Sequence, residues 1–391
     1  MNIFRLAFAY ARRRSLATML VVVLLAIGVA TVALTLLVSR ELEEHLTRDA
    51  AGIDLVVGAK GSPLQIVLAG VYHADVPPGN IPLAAIESLR KNPLIAQVIP
   101  LALGDSFLGY RIVGTEPEFV AHYEGTLAQG ELWSLPLDAV LGSEVARTSK
   151  LRAGDRFVGS HGLAEGGGTH EDARYTVTGV LAPTGTVLDR LVTTSLASVW
   201  AVHHSATPSP PREVTLALVK YRTPLAAASL PRTINRETEL VAASPAYETA
   251  RLLTVFGAGV DLIRAFAWIL VAASTLMLFV ALAQALHERR YDLAIMRALG
   301  ASRGQVAAVL LTESLVLAAI GTVLGLALAH LAAATIGWWL PQASPLAAVA
   351  RRFVPEEWAV VALALAAGII AALWPAWRAY RLDVAATLAE G

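Results

Sequence analysis

Residues 265–303 read AFAWILVAASTLMLFVALAQALHERRYDLAIMRALGASR. The first 22 of these carry no charge, and the last 17 hold four arginines. About 20 apolar residues, each rising about 1.5 Å along a helix, cross the hydrocarbon core of a bilayer. The stretch therefore reads as a membrane span that ends in a short charged loop. The same test picks out three further runs. Ser15–Ser39 is uncharged over 25 residues, Ser314–Leu340 is uncharged and apolar throughout, and Trp358–Trp377 is uncharged over 20. Four transmembrane helices are expected, at 15–39, 265–287, 304–340 and 358–377. The other reading of the first run is a cleavable leader. Its apolar core exceeds the roughly 7–15 residues of a leader and no small-x-small cleavage site follows, so an anchor helix is expected.

Composition agrees. Of 391 residues, 55% are hydrophobic and 16% charged, against about 25% charged in soluble domains. Mean hydropathy is +0.58. Lys+Arg and Asp+Glu both number 31, so nothing points to a polyanionic partner, and nucleic acid is not expected. The absence of cysteine excludes disulfide frameworks, thiolate zinc and cysteine nucleophiles.

Charge placement sets the orientation. Arg5, Arg12, Arg13 and Arg14 precede the first span, Arg289, Arg290, Arg297 and Arg303 lie between the second and third, and Arg378 and Arg381 follow the fourth. Both termini and the 288–303 loop are thus expected in the cytoplasm of a bacterial inner membrane. Residues 1–14 read as an amphipathic elbow on the membrane surface, and 341–357 as a short external loop. The tail, 378–391, is expected inside.

Residues 40–264 have the composition of a water-soluble domain and are expected outside the cytoplasm as an α+β domain, with a β-rich subdomain at about 135–200. Glu41–Asp49 prolongs the first span. Strands are expected at Asp54–Gly58, Ile95–Leu101, Tyr110–Thr115, Ala139–Gly142 and Tyr175–Leu181. Leu196–His203 continues that strand rhythm, and Val214–Val219 is a late strand. Helices are expected at Leu83–Lys91, at Ser143–Ser149, and at Glu237–Val260, which feeds the second span.

Chemistry-bearing residues are few. His161, Glu165, His170, Glu171 and Asp172 surround three glycines. Imidazole with carboxylate suits zinc, but glycine-rich loops usually carry solvated polar groups. A solvated loop is expected, with zinc at His161, His170, Glu171 and Asp172 as the alternative. Ala59-Lys-Gly-Ser-Pro63 lacks phosphate-loop spacing, and no nucleophile elbow or helical zinc motif is present. A non-catalytic protein is expected. Glu313 and His330 fall in the third span, where an ionisable group is a functional candidate by default. Packing across a helix pair is the plainer reading of both.

The loop after the second span reads as a short amphipathic helix. Leu293, Met296 and Leu299 or Gly300 are placed on one face, with Arg289, Arg290, Asp292 and Arg297 on the rest. Gly300 reads as a C′ terminator and Ser302 as the N-cap of the next helix.

At these residues the sequence resembles a known family. Glu288–Leu328, with Glu-Arg-Arg-Tyr-Asp-Leu-Ala-Ile-Met-Arg-Ala-Leu-Gly-Ala-Ser, and the tail Trp374–Leu388 resemble the FtsX-like permease domain. Val140–Ala146, Leu151–Asp155 and Tyr175–Val180 resemble the periplasmic core domain of MacB. The resemblance implies a permease of a type VII ABC transporter, the group of MacB, LolC/LolE and FtsX. It implies a dimer of permeases, a separate ATPase pair that binds ATP and Mg, and motion passed across the membrane to the external domain. MacB carries a fused N-terminal ATPase. This sequence starts at the elbow helix, so the ATPase is expected on another chain, and no cofactor is expected on this one. Carried over by motif, Tyr291–Leu299 sits in an ATPase groove with Glu288, Arg290, Asp292, Met296, Arg297 and Gly300 as coupling residues. Glu313, Gly321 and Gly325 are assigned to span packing or a dimer interface. A hydrophobic or lipoprotein-like cargo is expected, with an external adaptor or lipoprotein as partner. The alternatives are a non-transporting scaffold that activates an external hydrolase, and zinc-linked transport through the 161–172 loop.

Overall fold

The computed structural model describes residues 15–162, 169–202, 212–339, 344–384 and 387. The expected elbow at 1–14 lies outside them. The chain divides into two compact units, Glu44–Thr254 and the remainder. Each is described by itself.

The water-facing unit begins on the end of helix α1 (Ser15–Ala50). Strand β1 (Leu55–Ala59) and helix α2 (Pro63–Gly70) follow. Then come β2 (Ile81–Pro82), α3 (Leu83–Arg90), β3 (Ile95–Phe107), β4 (Tyr110–Thr115), α4 (Pro117–His122), β5 (Leu127–Gly130) and β6 (Asp138–Leu141). Next are α5 (Ser143–Ser149), β7 (Arg156–His161), β8 (Thr169–Leu181), β9 (Leu191–Ser195) and α6 (Leu196–Val202). The unit closes through β10 (Glu213–Val214), β11 (Leu216–Tyr221), α7 (Leu225–Glu237) and β12 (Leu240–Ala243).

Among the described residues ten strands form one mixed sheet in the order β12-β1-β11-β3-β4-β9-β6-β8-β5, with β7 against β3 and β8. The two-residue period of the strands gives the sheet two cores. Val56, Leu216 and Leu218 point to one core with Ile66 and Phe119. Leu55, Val57, Ala217 and Val219 point to the other with Ile86, Leu230 and Ile234. The first half of β3 pairs with β11 and the second half with β4. This 13-residue strand therefore joins the α/β part to the β-rich part. The β-rich part extends beyond 135–200, because β4 pairs in parallel with β9 and β5 pairs antiparallel with β8.

Two local readings of the sequence are corrected. Leu196–Val202 is a helix, because the Ser195 hydroxyl accepts the Ser198 amide at 3.1 Å and caps a turn that its valines alone would leave extended. The helix expected from Glu237 begins only at Pro245. Leu240–Ala243 is drawn instead into pairing with β1, and Pro245, with no amide hydrogen to lose, opens the helix.

Among the described residues the second unit holds four helices long and apolar enough to cross a membrane: α1, α8 (Pro245–Glu288), α10 (Arg303–Trp339) and α12 (Glu357–Tyr380). Between them lie α9 (Arg290–Ala298) and α11 (Ser344–Val349). Close packing uses small residues, as expected where lipid supplies no hydrophobic drive between helices. A Cβ on Gly368 would stand 2.7 Å from that of Ala318, and the Ser314 hydroxyl donates to the Gly368 carbonyl at 2.5 Å. α10 and α12 thus meet at backbone distance.

One group in the water-facing unit sets a pH limit. His73 is buried against Phe119, and neither ring nitrogen has a hydrogen-bond partner. Burial, then the Arg111 and Arg190 charges, push its pKa down to about 3. The unfolded chain takes up this proton near pH 6.5 while the folded chain does not. His73 by itself should therefore withdraw about 1.4 kcal/mol of stability per pH unit below about 6.5 until about pH 3, while buried Asp49, whose pKa is raised to about 6, acts in the opposite direction between about 6 and 3.8. His73 has a φ of 52°, which asparagine tolerates. In urea unfolding followed by Trp133 fluorescence, His73→Asn should show a shallower loss of midpoint between pH 6.5 and 4 than the unaltered chain. Equal slopes would contradict the assignment.

Candidate coupling site between the second and third spans

The site is built on the nine residues of α9. Arg289 stands between α8 and α9 and its carbonyl accepts the Leu293 amide at 2.9 Å. At the other end Gly300 has a φ of 103°. The Ala301 amide donates to the Met296 carbonyl at 3.0 Å and the Gly300 amide to Arg297 at 3.1 Å. This is a Schellman closure, which needs a left-handed residue and finds glycine there. Two residues on, the Ser302 amide donates to Gln305 Oε1 at 2.9 Å and the Gln305 amide to Ser302 Oγ at 3.2 Å. This reciprocal capping box opens α10. The short helix is therefore stopped at its C-terminal margin by local chemistry, and α10 is started there.

Its inner face is fixed by packing. Leu293 and the half-buried Met296 join a core with Leu282, Leu286, Val306 and Leu310. Beneath them Arg289 Nη1 donates to Glu313 Oε2 at 3.0 Å, with both side chains about nine-tenths buried. The outer face is apolar as well. Tyr291, Ile295 and Leu299 are exposed and recur every four residues, so they form one stripe along the helix. Asp292 is exposed beside the stripe, in the first turn, where the helix dipole favours an acid.

The candidate residues separate accordingly. Glu288 is exposed at the end of α8, and Arg290 is half-buried at the start of α9. Met296 faces the bundle. Arg297 is half-buried, and its Nε and Nη1 are buried without hydrogen-bond partners. Leu299, placed by the sequence reading on the face of Leu293, lies on the opposite side. Arg289, read as surface decoration, is the buried partner of Glu313. Ile295 was not singled out at all. Its spacing with Tyr291 and Leu299 was the available signal.

Gly321 and Gly325 face α1. A Cβ on Gly321 would stand 2.9 Å from Leu25 Cδ2, and one on Gly325 would stand 2.7 Å from the Ala26 carbonyl oxygen. They admit the first span against the third within one chain. Farther along α10, His330 Nδ1 meets the Ala350 carbonyl at 2.9 Å and Nε2 meets Glu357 Oε1 at 2.8 Å. In the water-facing unit His161 Nδ1 stands 3.3 Å from Asp105 Oδ1. The side chains of His170, Glu171 and Asp172 lie outside the described residues. Among the described residues no three His, Asp or Glu side chains gather as a metal site.

The family model for the FtsX-like permease C-terminal domain matches residues 264–384. That for the MacB-like periplasmic core domain matches residues 18–254, more than half of the chain. No curated protein matches. The periplasmic region of MacB from Actinobacillus actinomycetemcomitans is similar at 12% identity, over 53% of this chain and 95% of that one, with a TM-score of 0.36. The extracellular domain of the noncanonic ABC-type transporter YknZ from Gram-positive bacteria is similar at 13% identity, over 49% of this chain and 98% of that one, with a TM-score of 0.31.

Removing one member of the Arg289–Glu313 pair strands the other charge in an apolar bundle, at a cost of about 3–5 kcal/mol. Glu313→Leu and Arg289→Met should each lower the thermal midpoint of the purified chain markedly. The double variant should melt above either single one. A double variant that melts at the sum of the two losses would show that the contact is not a coupled pair.

Proposed function

The chain belongs to the MacB-like and FtsX-like permeases of ABC transporters, and we propose that it is the membrane subunit through which a separate cytoplasmic ATPase moves the periplasmic domain. It is a membrane protein with four spans and an extracytoplasmic α+β domain. The observation that carries the proposal is the outer stripe of α9. Exposed Tyr291, Ile295 and Leu299 on a helix closed at its C-terminal end by a Schellman turn suit a groove on a partner rather than water. Glu288, Arg290 and Asp292 supply its polar edge.

In this reading the arginines near α9 and after α12 place both termini and α9 in the cytoplasm of the inner membrane. ATP and Mg are assigned to the partner ATPase. The buried pair beneath α9 transfers a push on that helix to α10. α1 and α8 run unbroken from the apolar spans into the external domain and carry the motion there. Two copies of the chain serve one ATPase pair. The cargo, or the external partner, presents an apolar segment. A cleft of about 370 Å³ in the external domain, where Trp133, Leu196 and Trp200 stand beside the charged Glu87, Arg90 and Glu116, offers a place for it.

The docking assignment is tested by purifying the full chain from its own membranes and measuring the Mg-dependent ATPase activity that accompanies it. Ile295→Glu and Leu299→Asp put a charge into the proposed contact and should lower that activity about tenfold or more. Helical content and the melting of the external domain should be unchanged. Full ATPase association with both variants would refute the assignment.

A further inference from the structure

Between α8 and α12 lies an apolar groove of about 450 Å³. Trp268, Ala272, Leu276 and Phe279 form one wall, and Ala366 and Ile370 form the other. The one hydroxyl in its lining is already spent, because Thr275 Oγ1 donates to the Val271 carbonyl at 2.7 Å. The alanines make the groove: α12 turns small residues toward α8 where a leucine would close the gap.

The groove does not end in apolar surface. Phe279 touches the Trp374 ring at a centroid distance of 5.6 Å. The Arg378 guanidinium lies over the Trp374 ring at 4.9 Å, and one turn on Arg381 lies over Trp377 at 4.4 Å. Stacking fixes the cations at the rim without neutralising them. Ala366 and Arg378 are 12 residues apart, about 18 Å along the helix. One leaflet of the hydrocarbon core is about 15 Å deep. The lining on α12 runs from Leu363 to Ala371, about 12 Å, and Arg378 follows about 10 Å farther along the helix, stacked on the Trp374 ring that touches Phe279. An apolar slot within one leaflet, continued by an aromatic ring to a fixed cation, matches one chain and one phosphate of a lipid.

We propose that the α8–α12 groove and Arg378 form a site for one anionic phospholipid, with an acyl chain between the helices and the headgroup phosphate on the guanidinium. Arg381 adds to the positive field. A second copy of the chain filling the apolar part gives the two stacked arginines no particular role, whereas an anionic lipid engages both the apolar slot and the cations. The inference rests on the four spans alone and not on the ATPase partner, so either can fail without the other.

The test uses the full chain in a maltoside detergent, stripped of lipid and titrated with palmitoyl-oleoyl phosphatidylglycerol or phosphatidylcholine. Bound lipid is counted by native mass spectrometry. The unaltered chain should retain one phosphatidylglycerol about fivefold better than phosphatidylcholine, and Arg378→Gln should erase that preference. Ala366→Phe, which fills the slot, should lower retention of both lipids. Arg378 is exposed, so its variant decides the matter even if Ala366→Phe misfolds. Equal retention of the two lipids by the unaltered chain, or an undiminished preference in Arg378→Gln, would overturn the proposal. A change of oligomeric state in Ala366→Phe with the lipid count unchanged would assign the groove to a second copy and overturn it too.

Discussion

A charge inside a membrane bundle must be paired, and the pair of Arg289 and Glu313 is the constraint on which one end of this bundle is organised. Glu313 sits on the third span, ten residues past Arg303. Arg289 sits at the joint between the second span and α9. Their 3.0 Å contact ties the start of α9 to the body of α10. The Schellman turn at Gly300 and the capping box at Ser302 then leave α9 little freedom. With its inner residues Leu293 and Met296 packed beneath, the helix has one orientation, and Tyr291, Ile295 and Leu299 must face outward. The exposed stripe is thus a consequence of buried pairing rather than an accident of composition.

The water-facing unit obeys a different rule. Water lets it bury its apolar groups by strand alternation, so each central strand feeds two cores at once. Its long strand β3 serves two halves of one sheet, a device unavailable within the bilayer, where unpaired strand edges are too costly. The two units are linked by helices, α1 and α8, the element that satisfies its own backbone in either solvent.

Much of this was legible in the sequence. Uncharged runs of 20 or more residues require the four spans, because few soluble elements need them. The closing turn at Gly300 and the cap at Ser302 were legible because each depends on one residue and its immediate neighbours. The facing of α9 was not. Leu293 and Leu299 are six residues apart, which at about 100° per residue puts them about 120° apart around the helix and on different sides. The partner of Glu313 was also hidden. Several arginines stand in the loop, and only the packing of Leu293 and Met296 turns Arg289 inward. In the external unit Leu196–Val202 has strand-like composition, and a single hydroxyl at Ser195 overrides it. The chemistry of the 161–172 loop was read from composition alone. Of that group only His161, beside the buried Asp105, has a described environment.

The third span shows the same logic at its other end. His330 lies 17 positions beyond Glu313, about 26 Å of helix, close to the roughly 30 Å of the apolar core. It meets Glu357, at the start of α12, and the Ala350 carbonyl just after α11. The second carboxylate oxygen of Glu357 accepts the Val354 amide at 2.8 Å, and its neighbour Glu356 pairs with Arg40 of the first span. α10 is therefore held near both margins by charged groups that belong to the segments before and after it. Along its middle, Gly321 and Gly325 let α1 approach to backbone contact, and Ser314 and Ala318 do the same for α12. A helix anchored at both ends and packed at backbone distance between them cannot shift at one margin without moving its neighbours. The ionisable groups stand at these margins because each has a partner there, where lipid alone would exclude them.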